Sequence, residues 1–144
     1  MDDYRDAIAS CCRQLRLSAN LADHAFAIQG ETHQEYLYNL LSEEIKCRKA
    51  ARIGKLINSA GFPVQHNFAA FQPDEVQFPS GVTPESLKAL EFFHAGNNLV
   101  MYGSTGTGKT MLSICIGMEA CRSGIPVKFF RTASLINQLS EAQE

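Results

Sequence analysis

A chain of 144 residues has room for one domain or two small ones, and a hydrophobic content of 45% is that of a globular protein rather than a disordered one. The formal net charge of −2 supplies no global attraction to nucleic acid or to an anionic membrane. No apolar run reaches the roughly 20 residues of a membrane span, and the acidic start Met-Asp-Asp-Tyr-Arg-Asp is unlike a secretory signal, so no membrane partner and a cytoplasmic location are expected.

The first part reads as helices. Tyr4, Ile8, Cys11, Cys12 and Leu15 recur at helical spacing and predict one amphipathic face. Arg16-Leu-Ser-Ala-Asn20 interrupts it. A second short helix carries Leu21, Ala22, Ala25, Phe26 and Ile28 and stops at Gly30. Thr32-His-Gln-Glu35 is a capping-box pattern that opens a third helix. This helix is predicted to run to about Ala60, with Leu37, Leu40, Leu41, Ile45, Ile53, Leu56 and Ile57 on its apolar side and Gly61-Phe62-Pro63 as its stop. Within it, "IKCRKAARIGK" sets Lys46, Arg48, Lys49, Arg52 and Lys55 close together with no acid among them. Such a stripe suits either a solvated face or non-specific contact with the phosphates of duplex DNA.

Residues 64–79 place Phe68, Phe71 and Phe78 among polar residues and prolines, the pattern of an extended linker lying on the next domain. Thr83 and Pro84 then suit the N-cap and first turn of a helix whose buried stripe is Leu87, Leu90 and Phe93 and whose stop is Gly96. Residues 99–102, Leu-Val-Met-Tyr, read as a buried strand. A helix follows from Met111, with Leu112, Cys115, Ile116 and Ala120 inward and Gly124 as its end. Residues 125–130 read as a second strand, and Thr132 caps a last helix through Leu135, Ile136 and Leu139.

Between the first strand and its helix lies "GSTGTGKT". Gly103, Ser104, Thr105, Gly106, Thr107, Gly108, Lys109 and Thr110 satisfy every fixed position of G-x-x-x-x-G-K-[ST]. Glycines permit positive φ and leave no Cβ between backbone and ligand, so successive N–H groups can converge on one anion. A helix starting near Gly108 adds its positive end. In that reading the eight residues hold the phosphates of ATP, Lys109 reaches the β- and γ-phosphates, and the Thr110 hydroxyl binds Mg²⁺. The dinucleotide fingerprint does not fit, because the third glycine of G-x-G-x-x-G is missing. The five cysteines form no C-x-x-C pair, and His24, His33, His66 and His94 show no zinc-ligand spacing, so packed, reduced thiols are expected.

Two stretches, "LRLSANLADHAFAIQGETHQEYLYNLLSEEIKCRKAARIGKLINSAGFP" and "FFHAGNNLVMYGSTGTGKTMLSICIGMEACRSGIPVKFFRTASLINQL", together resemble the IstB family of ATP-binding transposition helpers and, more distantly, the DnaC-type helicase loaders. The resemblance implies an α/β protein, with a helical N-terminal region followed by an incomplete AAA+-like P-loop parallel-sheet domain. It divides the chain into a helical region at 1–63 with possible DNA contact, a linker at 64–82 and the ATP-binding domain at 83–144. It also implies ATP and Mg²⁺ as ligands, and DNA, a transposase and further copies of the chain as partners. Intact family members are ATPases, but no apolar strand ending in a Walker-B acid follows Lys109. Residues 127–130 lead into Arg131, and Glu141 and Glu144 fall on the last helix. The expectation is therefore the N-terminal portion of a longer protein. A helicase loader, or a non-catalytic DNA-binding or adaptor fragment, are the alternative readings.

Overall fold

A computed structural model describes residues 3–72 and 76–142. Residues 73–75 of the expected linker, and Glu144, lie outside the described residues. The chain divides into two compact units, Met1–Arg52 and Ile53–Glu144.

The first unit holds α1 (Asp3–Gln14), α2 (Leu21–Ala27) and most of α3 (His33–Ala60). The exit of α1 is a Schellman turn. Arg16 takes a left-handed conformation (φ 54°), Leu17 N donates to Cys12 O at 2.8 Å and Arg16 N donates to Arg13 O at 3.2 Å. Glu44 of α3 reads this turn. Its buried carboxylate accepts from Ser18 N at 3.0 and 3.1 Å and from Arg48 Nε at 2.6 Å, while Arg48 Nη2 donates to Arg16 O at 2.6 Å. At the start of α3, Thr32 Oγ1 accepts from Glu35 N, and the Glu35 carboxylate reaches back to Glu31 N, one residue beyond the usual capping-box partner. Gly30 is required there, because a Cβ would stand 2.5 Å from Tyr36 N. Among the described residues of this unit the buried apolar ones are few: Cys12, Leu21 and Ala22. The predicted apolar faces are only partly realised, since Tyr4, Leu15, Leu37, Leu41 and Ile45 are exposed.

The second unit is built on α6 (Lys109–Arg122; α4 and α5 are defined below), which is buried around most of its circumference. On one side Leu112, Cys115, Ile116 and Ala120 pack with Phe71, Leu87 and Leu90. On another, Gly117 lets the Phe62 ring rest on the helix backbone, where a Cβ would meet it at 2.8 Å. Phe62 also packs against Phe129, and Phe129 N donates to Ala60 O at 2.8 Å. The predicted helix from Thr83 is two short ones, α4 (Pro84–Lys88) and α5 (Glu91–His94). Thr83 and Ser86 form a reciprocal cap, as the Thr-Pro start suggests. The break falls at Leu90, which is left-handed (φ 58°) yet buried, while Phe93 turns out to solvent. The remaining helix is α7 (Thr132–Glu141). Its N-cap is Arg131 rather than Thr132, and it buries none of its residues; Leu135, Ile136 and Leu139 are all exposed.

The expected parallel sheet is not formed, and the α/β assignment is corrected. Every regular element among the described residues is a helix. Leu99 and Met101 do face the core while Val100 and Tyr102 are exposed, so the period-two pattern is real. Alternation fixes only which side of an extended segment is apolar. A strand also needs a neighbour about 4.8 Å away to complete its ladder, and neither residues 99–102 nor 125–130 have one among the described residues. Among the described residues no helix is long and apolar enough to cross a membrane.

The Glu44 clasp sets a pH dependence. Burial opposes the charge of this carboxylate, but the hydrogen bonds from Arg48 and Ser18 and the Arg48 charge outweigh it, so its pKa lies below the ordinary value. A lowered folded-state pKa stabilises the fold above the unfolded-state value of about 4.3 and ceases to do so as pH falls through the folded-state value. Glu44→Gln should destabilise the chain at pH 7 by about 1–3 kcal/mol, and the gap from wild type should narrow on acidification. Thermal unfolding followed by circular dichroism checks this; a gap that stays constant down to the acid limit of folding would contradict it.

Candidate functional site

The glycine loop leads directly into the most buried helix of the chain. Gly103, Gly106 and Gly108 all have positive φ, at 143°, 90° and 81°, conformations in which a side chain would be strained. Gly108 is the N-cap of α6, and the first backbone bond of the helix runs from Leu112 N to Gly108 O at 2.8 Å. The N–H groups of Lys109, Thr110 and Met111 consequently have no acceptor among the described residues. Three unpaired donors at the positive end of a 14-residue helix are groups that favour negative charge.

Lys109 is half-buried and folds back over the loop. Its Nζ donates to Gly103 O at 3.0 Å, to Ser104 O, and to Thr107 Oγ1 at 3.2 Å, while Thr107 Oγ1 donates to Ser104 O at 3.0 Å. No acid is ion-paired with Lys109 among the described residues. Thr110 is exposed at the mouth. Residues 105–111 line a cavity of about 350 Å³ that contains no carboxylate. A larger cavity of about 510 Å³, between residues 60–63 and 128–138, includes Arg131 at the N-cap of α7 but no run of positive-φ glycines, and the loop is the better chemical candidate. The residues present therefore fit a polyphosphate, with backbone donors, a lysine ammonium and no opposing charge. The hydroxyl-bearing residues Thr105, Thr107 and Thr110 also line the cavity. Sequence spacing did not single out Phe71 for this site. Its ring lies 3.9 Å from where a Cβ of Gly108 would stand, backing the turn into α6.

The profile of the IstB-like ATP binding protein family matches residues 14–144. The chain belongs to this family. A Geobacillus stearothermophilus protein named for ATP binding and for insertion sequence IS5376 is 30% identical over 97% of this chain and 58% of its own length. A Mycobacterium tuberculosis protein named for ATP binding in an insertion sequence is 28% identical, over 93% of this chain and 55% of its own length. A Bacteroides fragilis relative named for ATP binding and likened to insertion sequence IS21 is 26% identical, over 86% and 49%. The chain thus spans between about half and three-fifths of the length of these IstB-like relatives.

In this IstB-like chain the five basic residues singled out on α3, Lys46, Arg48, Lys49, Arg52 and Lys55, are all exposed, but they are not equivalent. Lys46 pairs with Glu43 at 3.2 Å, and Arg48 is held by Glu44 and the Arg16 carbonyl. Lys49, Arg52 and Lys55 have no ion pair among the described residues.

In the ligand-free chain Lys109 acts as a brace across the loop. Lys109→Ala should speed amide hydrogen exchange across residues 103–108 while leaving the buried part of α6 unchanged. Exchange read by mass spectrometry tests this, and equal rates in both chains would show that the lysine does not order the free loop.

Proposed function

We propose that this chain binds ATP through the loop from Gly103 to Thr110, as the nucleotide-binding part of a protein that assists transposition. The observation that carries the reading is the cluster of unpaired N–H groups at the head of α6, beneath a lysine that has no acidic partner. Gly106, Gly108 and the first turn of α6 would receive the phosphates. Lys109 would exchange its neutral carbonyl partners for charged phosphate oxygens, and Thr110 would meet Mg²⁺. The names of the relatives support ATP as the ligand, and they favour transposition over helicase loading because they refer to insertion sequences. A transposase is the proposed protein partner, and self-association around DNA the proposed assembly.

DNA is the proposed polymer ligand, bound through phosphates rather than bases. Lys49 and Arg52 are the contacts we favour within the first unit, because their charges are not engaged by acids as those of Lys46 and Arg48 are.

Titration of a fluorescent ATP analogue with Mg²⁺ tests the loop. Loss of a charge-assisted contact of about 1.5–3 kcal/mol should weaken binding by Lys109→Ala roughly tenfold to a hundredfold, and equal binding would overturn the assignment. For DNA, the double variant Lys49→Gln and Arg52→Gln should bind all duplex sequences more weakly and lower the slope of log affinity against log salt by up to about 0.9 per lost contact. An unchanged affinity and slope would make these residues a solvated surface.

A further inference from the structure

The first unit brings together three side chains that are far apart in sequence. His24 lies on α2, and Glu43 and Cys47 stand one turn apart on α3. A nitrogen of His24, a carboxylate oxygen of Glu43 and the Cys47 Sγ all lie within 4.8 Å of one another, and all three residues are half-buried. Imidazole, carboxylate and thiol are the borderline-soft donor set that selects zinc over magnesium or calcium. A second observation is independent of that proximity. The buried Nδ1 of His24 has no hydrogen-bond partner, although buried polar atoms are nearly always paired. A third concerns the donors' other partners. Asn20 Nδ2 donates to Cys47 Sγ at 3.8 Å, and Lys46 Nζ donates to Glu43 Oε2 at 3.2 Å, so two of the three donors also have partners outside the cluster.

We propose that His24, Glu43 and Cys47 form a three-ligand site for a divalent transition metal, zinc by the chemistry of its donors, that ties α2 to α3. Binding breaks the Cys47 S–H bond, releases that proton to solvent and forms a metal–thiolate bond; no electron is transferred. A fourth position stays open to water. The site gives the first unit a staple that its core does not provide. Cys12, Leu21 and Ala22 are its buried apolar residues among those described, and helical units of this size commonly need a disulfide or a metal to hold them together.

The test uses the full chain, reduced and stripped with chelator. Titration with Co²⁺ should give a thiolate-to-cobalt charge-transfer band that saturates at one equivalent and disappears when Zn²⁺ is added. The band should be lost in Cys47→Ser and in His24→Gln and kept in Cys11→Ser, with far-ultraviolet circular dichroism confirming that each variant is helical. A readout on the unaltered chain avoids dependence on variants. With free Zn²⁺ at ten times its dissociation constant, the unliganded fraction falls about elevenfold. Alkylation of Cys47, read by mass spectrometry, should slow by that factor, and alkylation of the exposed Cys11 should not. Absence of a band in the unaltered chain, a band that survives Cys47→Ser, or unprotected Cys47 in saturating Zn²⁺ would each overturn the site.

Discussion

Helix α6 has almost no side left for solvent, and the second unit is arranged around that constraint. A helix apolar around its whole circumference is stable only if it is enclosed. Phe71, Leu87 and Leu90 close one side, and Phe62, with Val127 beside it, closes another over Gly117. Burial raises the pKa of the Cys115 and Cys121 thiols, so both stay protonated and pack as small apolar side chains. The left-handed Leu90 belongs to the same constraint. Such a conformation costs a non-glycine residue on the order of 1 kcal/mol, and here it turns the chain between α4 and α5 while keeping the Leu90 side chain in the core.

The enclosed helix also sets the geometry on which the proposed site rests. With its body fixed by packing, the head of α6 holds the N–H groups of residues 109–111 in one direction, and three left-handed glycines keep side chains out of the approach. Lys109 meanwhile rests on neutral oxygens of the same loop. Those oxygens carry no formal charge, whereas a phosphate would add an opposite charge to the same donor. The first unit solves its stability problem differently. Its core is thin, and a buried carboxylate, Glu44, joins α3 to the turn after α1 through hydrogen bonds that leave neither oxygen unpaired.

Local chemistry was legible in the sequence; long-range pairing was not. The capping signals at Thr32 and Thr83, the stop at Gly61 and the glycine loop before α6 depend on neighbours a few residues away, and each appears close to where the residues place it. The strands were misread because alternation in Leu99-Val100-Met101-Tyr102 reports a face, whereas a ladder requires a partner that the pattern does not specify. The apolar stripe of α3 was misread for the same reason. Periodicity names the side that would be buried, and Leu37, Leu41 and Ile45 find nothing to cover them among the described residues. Phe71 behind Gly108, and the meeting of His24 with Glu43 and Cys47, required the fold itself, since no spacing rule links those positions.

The head of α6 and its glycine loop are the proposed anion cradle of this chain. Backbone amide shifts in a two-dimensional NMR spectrum, followed during titration with Mg²⁺-ATP, test it most directly. The largest shifts should fall on Gly106, Gly108, Lys109 and Thr110, because their N–H groups would turn from solvent to phosphate oxygens. Shifts centred instead on residues 60–63 and 128–131, around the larger cavity, or none at saturating nucleotide, would contradict it.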